Sequence, residues 1–280
     1  MHRDDGHTDR YAPRRDGEPG FAEEGRGRGR ICRPCTVSWS QRSVLVRERA
    51  KGEKMPLAVS AAWSSVSEGN PLIEIDSVMP RLAARRSVFC SEADFQHELA
   101  YEIRRDDPGL GVRLEYPLGT ASRGAIDILL IGAHRFALEL KYLCKGLTAQ
   151  VADEAVVLRH QGAHDIRRYD VCKDVERMER YAERTGHGAA VLVLSNDPAY
   201  WQPRRRADTV DAAFDLADTR QLGGTLQWDA RAGAGTTKGR EAPLEIRGSH
   251  PLAWCDYSDL GGVGGRFRYL WVPVAKPCQR

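Results

Sequence analysis

Two neighbouring apolar segments, GAIDILLIG (residues 124–132) and HRFALELKY (residues 134–142), place Asp127 ahead of a Glu-X-Lys, Glu139 and Lys141, with eleven residues between Asp127 and Glu139. Both segments read as strands that gain stability by burying Ile128, Leu130, Phe136 and Leu138. A carboxylate set among such side chains loses hydration that only a partner restores. These three polar groups therefore constrain the fold more than any other feature of the chain: the strands must pair so that the charges find partners.

Side chains alternate along a strand, so Glu139 and Lys141 share one face while Leu138, Leu140 and Tyr142 take the other. A two-residue loop at Gly132 and Ala133 would set Asp127 against Leu138 and scatter the polar groups. A three-residue loop, 132–134, sets Asp127 opposite Glu139, with Cβ atoms about 4.5–5.5 Å apart. The odd loop is the expectation. Two carboxylates so placed repel by about 4 kcal/mol at an effective dielectric near 20, and a positive group between them is required. Mg²⁺ suits carboxylates, backbone carbonyls and water. Lys141 is then free to orient a metal-bound water and to offset charge developing on a phosphate. The plainer alternative is a structural cluster of ion pairs.

Upstream, SEADFQHELAYEIRR (residues 91–105) has the marks of a helix. Ser91 is placed as N-cap, Asp94 completes a capping box, and Phe95, Leu99 and Ile103 form one stripe. Glu102 falls inside that stripe and Glu98 on its flank, and an acid on the buried side needs a reason. A short strand follows at 112–116, then the two strands above. Residues 163–184 read as a long amphipathic helix that Gly186 and Gly188 end, and AAVLVLSND (residues 189–197) as a strand buried on both faces. The order is αβββαβ.

With that order and the D…ExK spacing, the chain resembles the PD-(D/E)XK nuclease superfamily over residues 80–201. The stretches SEADFQ, LEYP, LELKY, RYDVCKDVERME and LSNDPAYW also look like an uncharacterised bacterial branch of it. The Pro that gives the motif its name is replaced here, where Ala125 and Ile126 precede Asp127. The resemblance implies an α/β, restriction-endonuclease-like core with a central mixed sheet flanked by helices. It also implies Mg²⁺-dependent hydrolysis of a phosphodiester, with Mn²⁺ as a possible substitute and DNA as the expected partner. Asp127, Glu139 and the carbonyl of Leu140 would hold the metal, and Lys141 would position the attacking water. The helix acid maps best onto Glu102, with Glu98 second, to hold a second metal or orient an outer water. A noncatalytic nucleic-acid-binding or structural module that keeps this fold is the alternative.

Charge does not by itself identify a nucleic-acid partner. The net charge is +3, but residues 1–54 hold 13 Lys and Arg against 9 Asp and Glu, which leaves the remainder near neutral. Phosphate contacts must then come from local groups. Arg167 and Arg168, at the start of the long helix, are the first candidates, ahead of Arg104, Arg105, Arg113, Arg123 and Arg204 to Arg206. The resemblance adds Lys173. Gln161 lies near the strand ends where it could meet metal or substrate, and Asp165 is suited to cap the helix.

Three segments follow from composition: a basic, largely disordered leader over 1–79, the nuclease-like core over 80–205, and a β-rich extension over 206–280 packed on the core. The leader, with GRGRGR at residues 25–30, lacks the apolar pattern to offset its ordering entropy, and Met55 is a candidate alternative start. Seven cysteines without a framework point to reduced thiols in a cytoplasm. Cys32 and Cys35 lack a second pair to complete a zinc site, and Cys172 reads as packing. No secretory signal or membrane span is evident. In the extension, GGVGG (residues 261–265) reads as a hairpin loop. The stripe Phe267, Tyr269, Trp271 reads as the inner face of a strand, with base stacking as the less ordinary use.

Overall fold

Apolar runs too short for helices and separated by turn residues build a six-stranded mixed sheet in the computed structural model, which describes residues 73–118 and 124–274. The described residues all lie in one unit of the chain, residues 66–280. Helices α1 (Ile75–Arg85) and α2 (Glu92–Asp106) come first, followed by strands β1 (Gly111–Pro117), β2 (Ala125–Ile131) and β3 (Arg135–Leu143). A hairpin of β4 (Leu147–Val151) and β5 (Glu154–Leu158) precedes helix α3 (His164–Thr185) and strand β6 (Gly188–Ser195). The chain ends in strands β7 (Gln221–Leu226), β8 (Leu244–Pro251), β9 (Trp254–Asp259) and β10 (Arg266–Val274). The leader as far as residue 72, Cys32, Cys35, Met55 and Arg123 lie outside the described residues.

The central sheet has the order β1-β2-β3-β6-β10-β9. β3 and β6 run parallel, and the other neighbours are antiparallel. β6 is buried along nearly its whole length, as its unbroken apolar run requires of a central strand. On one face Leu138, Leu140, Tyr142, Leu192 and Phe267 pack under α1 and α2. On the other Ala137, Val191, Val193 and Leu270 pack under α3. Each fully buried Val, Leu or Phe in these layers contributes about 1.5–3 kcal/mol.

Local signals set the helix ends. Ser91 Oγ accepts from the Asp94 amide at 3.1 Å, and Asp94 Oδ2 accepts from the Cys90 amide at 2.8 Å. α3 stops at Gly186, whose φ of 69° is the left-handed conformation that glycine adopts without strain. Its other end departs from expectation. Asp165 does not cap the helix: Ala163 occupies that position with φ 58°, and Asp165 accepts from the adjacent Ile166 amide within the first turn.

The C-terminal region divides its strands. β9 and β10 complete the central sheet, joined by the glycine loop, while β7 and β8 form a hairpin of their own. Phe267 and Tyr269 are buried in the layer beneath α1 and α2, with Trp271 packed against it. The aromatic stripe is therefore core. Helix α1 begins at Ile75, so ordered structure extends across the boundary expected at residue 79. Among the described cysteines Cys90, Cys144, Cys172 and Cys255 are free, and Cys172 is fully buried. No described helix is long and apolar enough to cross a membrane.

Candidate metal centre

The β2–β3 turn is the odd one. Ile131 pairs with Arg135 across residues 132–134, and the register continues through Ile128 and Leu138. One further step sets Asp127 across from Glu139, but the ladder stops before it. Beyond that point the two strands part, and acids take the amides that β2 no longer meets. Asp127 Oδ2 accepts from the Leu140 amide at 2.6 Å, and Glu92 Oε2, from the first turn of α2, accepts from the Tyr142 amide at 2.8 Å. The opening between β2 and β3 is thereby lined with carboxylates.

Strand parity turns Glu139 and Lys141 toward α3. Lys141 Nζ lies 2.7 Å from Asp174 Oδ2 and donates to the Leu140 carbonyl at 3.0 Å. Arg177 reaches Glu139 Oε2 and also lies 3.3 Å from Asp174 Oδ1. Glu139 is only 1 % exposed, and its Oε1 has no hydrogen-bond partner among the described residues. Burial, and then the nearby Asp127 charge, push the Glu139 carboxyl up to about 9, against the opposing pull of Arg177. Burial also raises the Asp127 carboxyl, although the Leu140 amide and Lys141 oppose it. For Lys141 burial acts downward, but Asp174, Glu92 and Asp127 outweigh it and hold the ammonium above its usual range.

This donor set fits a hard divalent cation. It offers the carboxylates of Asp127 and Glu139, the latter with a buried oxygen that no described group satisfies, and the Leu140 carbonyl. It is not a ready-made cage: among the described residues no three His, Cys, Asp or Glu side chains converge in metal-binding geometry. Waters must supply the remaining positions, as they commonly do for Mg²⁺.

The helix acid expected here makes its contacts elsewhere. Glu102 is fully buried, but its carboxylate is taken by Arg81 at 3.3 Å, Arg85 at 3.4 Å and Arg105 at 2.9 Å. It fastens α2 to α1, and Glu98 pairs with Arg85 beside it. The acid of α2 that reaches the site is Glu92. Burial is the largest influence raising its carboxyl, Lys141 and the Tyr142 amide oppose it, and Asp127 and Asp174 add to it. The signal for Glu92 was its place in the first turn, where an acid is ordinarily read as a partner of the helix dipole.

Arg168 also has partners within the fold. It is buried, with one amino group 2.9 Å from Asp211 Oδ2, the other donating to the Ala199 carbonyl at 2.7 Å, and its guanidinium over the Tyr200 ring. Arg204 is likewise held by Asp211 and Asp215. Arg167 is half-buried and Lys173 exposed on α3. Gln161 exchanges bonds with Cys144 just past the end of β3: its amide donates to the Cys144 carbonyl at 2.9 Å, and its Oε1 accepts from the Cys144 amide at 3.4 Å.

No family model, curated protein or solved structure matches this chain.

Proposed function

We propose that this protein is a metal-dependent nuclease of the PD-(D/E)XK type, with a restriction-endonuclease-like core, hydrolysing phosphodiester bonds of DNA with Mg²⁺ and accepting Mn²⁺ in its place. One observation carries the reading. Asp127 stands one residue past the last β2–β3 pair, Ile128 with Leu138, near enough for its charge to act on Glu139, Lys141 follows Glu139 on the same face of β3, and a buried oxygen of Glu139 is left unpaired. Asp127, Glu139 and the Leu140 carbonyl would hold the cation. Bound there, it would polarise the scissile phosphate and lower the pKa of a water.

The remaining steps belong to the chain. Lys141 orients the attacking water and offsets charge developing on the phosphate. Asp174 keeps its ammonium protonated and aimed. Glu92 stands at the same opening, where it can hold an outer water.

Mg²⁺ and Mn²⁺ titrations by calorimetry test this reading together with cleavage of plasmid, linear, single-stranded and RNA substrates, beside Lys141→Ala and Asp127→Ala. The reading expects metal uptake by the wild type, and cleavage that both substitutions abolish. Cleavage that survives them, or no metal uptake, overturns it. The ion pairs of Lys141 with Asp174 and of Arg177 with Glu139 favour a second reading, a noncatalytic nucleic-acid-binding or structural module in which the cluster only stabilises the fold. Nucleic-acid binding without any cleavage is the outcome that selects it.

A further inference from the structure

We propose that Gln96 and Glu115, the last residue of SEADFQ and the acid of LEYP, are positioning residues for Asp127. The inference rests on the nuclease reading and deepens it. Asp127 is paired in neither neighbouring ladder. Between β1 and β2 the register runs Leu114 with Ile128 and Tyr116 with Ile126, and skips Glu115 with Asp127. Between β2 and β3 it stops at Ile128 with Leu138. The Leu140 amide holds the Asp127 side chain, but a backbone released on both sides would shift by the fraction of an ångström that decides whether its carboxylate can share a cation with Glu139.

Gln96 supplies what the ladders do not. Its side chain comes from the buried face of α2, one turn beyond Glu92, and its single amide nitrogen spends both hydrogens here. One goes to the Asp127 carbonyl at 2.6 Å and the other to Glu115 Oε1 at 2.8 Å. An amide is the side-chain group that can do this while buried, because it brings two donors and no charge. Glu115 in turn holds Gln96, and it does so from an unfavourable backbone. Its φ of 49° lies in the left-handed region, which a glutamate rarely adopts. Strain of this kind persists where surrounding contacts impose it. Here it breaks the β1–β2 ladder beside Asp127 and leaves the Asp127 carbonyl to Gln96.

The test pairs Mn²⁺ titration by calorimetry with thermal melting of the metal-free full chain, for the wild type and three variants. Gln96→Leu removes both donors. Glu115→Gly removes the acceptor and relieves the backbone. Glu115→Gln keeps an acceptor oxygen at the same place. Loss of an outer-shell partner typically weakens metal binding about 10-fold to 100-fold, and that loss is expected for Gln96→Leu and Glu115→Gly. Glu115→Gln should stay within about threefold of the wild type, a change well below that outer-shell effect. Glu115→Gly should melt no lower than the wild type, because glycine adopts a positive φ without strain. Weaker metal binding without lost stability is what a purely structural role does not give. Mn²⁺ bound as tightly by Glu115→Gly as by the wild type overturns the proposal, even if Gln96→Leu fails to fold. A wild type that takes up no Mn²⁺ overturns the nuclease reading first, and this inference with it.

Discussion

Burial and the Asp127 charge both push the Glu139 carboxyl up, so Asp127 and Glu139 weaken the metal-free protein to the extent that they serve a cation. Asp127→Asn separates the two effects. The side-chain oxygen that accepts from the Leu140 amide remains, and one of the two charges is gone. The metal-free protein should melt higher by a few degrees, about 1 kcal/mol for a domain of this size, while cleavage is lost. Thermal melting with and without Mg²⁺ checks this: a variant that melts lower than the wild type without metal would show that Asp127 is a structural acid. Lys141 gives the complementary case. Lys141→Met leaves Asp174 buried with Arg177 as its one charged partner among the described residues, and loss of one member of a buried pair costs about 3–5 kcal/mol. If the nuclease reading holds, cleavage should fall by about 10²–10⁴-fold, with Mn²⁺ uptake retained, because that reading has the ammonium act on water and phosphate and not as a ligand. Loss of metal uptake in this variant would contradict the assigned role.

The β2–β3 register, the capping of α2 and the two-faced burial of β6 were legible because each rests on local chemistry: strand parity, a serine placed before an apolar stripe, an uninterrupted apolar run. Helix α1 and the β4–β5 hairpin were not. α1 holds Pro80 within it, and proline inside a helix is an adverse signal. The hairpin strands are five residues each, too short for periodicity to decide. One omission led to another. Sequence placed Glu102 on the buried side of α2, and it is buried, but without α1 the guanidiniums of Arg81 and Arg85 that claim it could not be foreseen. Glu102→Gln should therefore cost about 1–3 kcal/mol, as for a weakened buried hydrogen-bond network, and leave Mn²⁺ affinity unchanged; a shift in that affinity would return Glu102 to the site. The docking of β8 on α3 uses the same device. Glu179 Oε2 accepts from the Arg247 amide at 2.8 Å, and its Oε1 from the Gly248 amide at 2.7 Å and from His250 at 2.8 Å. Burial would raise the Glu179 carboxyl, but these bonds, His250 first, hold it below its ordinary value of 4.5. A depressed carboxyl contributes stability that is fully present above the unfolded-state value and is lost as pH falls through the folded one. Melting temperature should thus drop below pH 4.5 more steeply in the wild type than in Glu179→Gln, and parallel curves would refute the linkage.

At the scale of the whole molecule, charge is spent internally. The net charge of +3 arises in residues 1–54, and residues 55–280 hold 29 Lys and Arg against 30 Asp and Glu. Many of the cations in the described region are committed, Arg168 and Arg204 to Asp211, Lys141 and Arg177 to Asp174, and Arg81, Arg85 and Arg105 to Glu102. A surface so balanced binds a polyanion through few contacts, and the affinity should depend on salt accordingly. Each phosphate neutralised contributes about −0.9 to the slope of log K against log salt. Arg167 and Lys173, on the helix that backs the candidate site, are the remaining α3 cations from the sequence reading. Arg167→Ala and Lys173→Ala should each weaken binding of a labelled duplex equally for all sequences and make the slope shallower by about 0.9. Fluorescence anisotropy between 50 and 200 mM salt, a range of the order used to resolve such slopes, measures both effects. The comparison is a difference between variant and wild type in the full chain, so any contribution from residues 1–54 cancels. Slopes that coincide with the wild type would remove α3 from the nucleic-acid path and direct the search to the opposite rim of the β2–β3 opening.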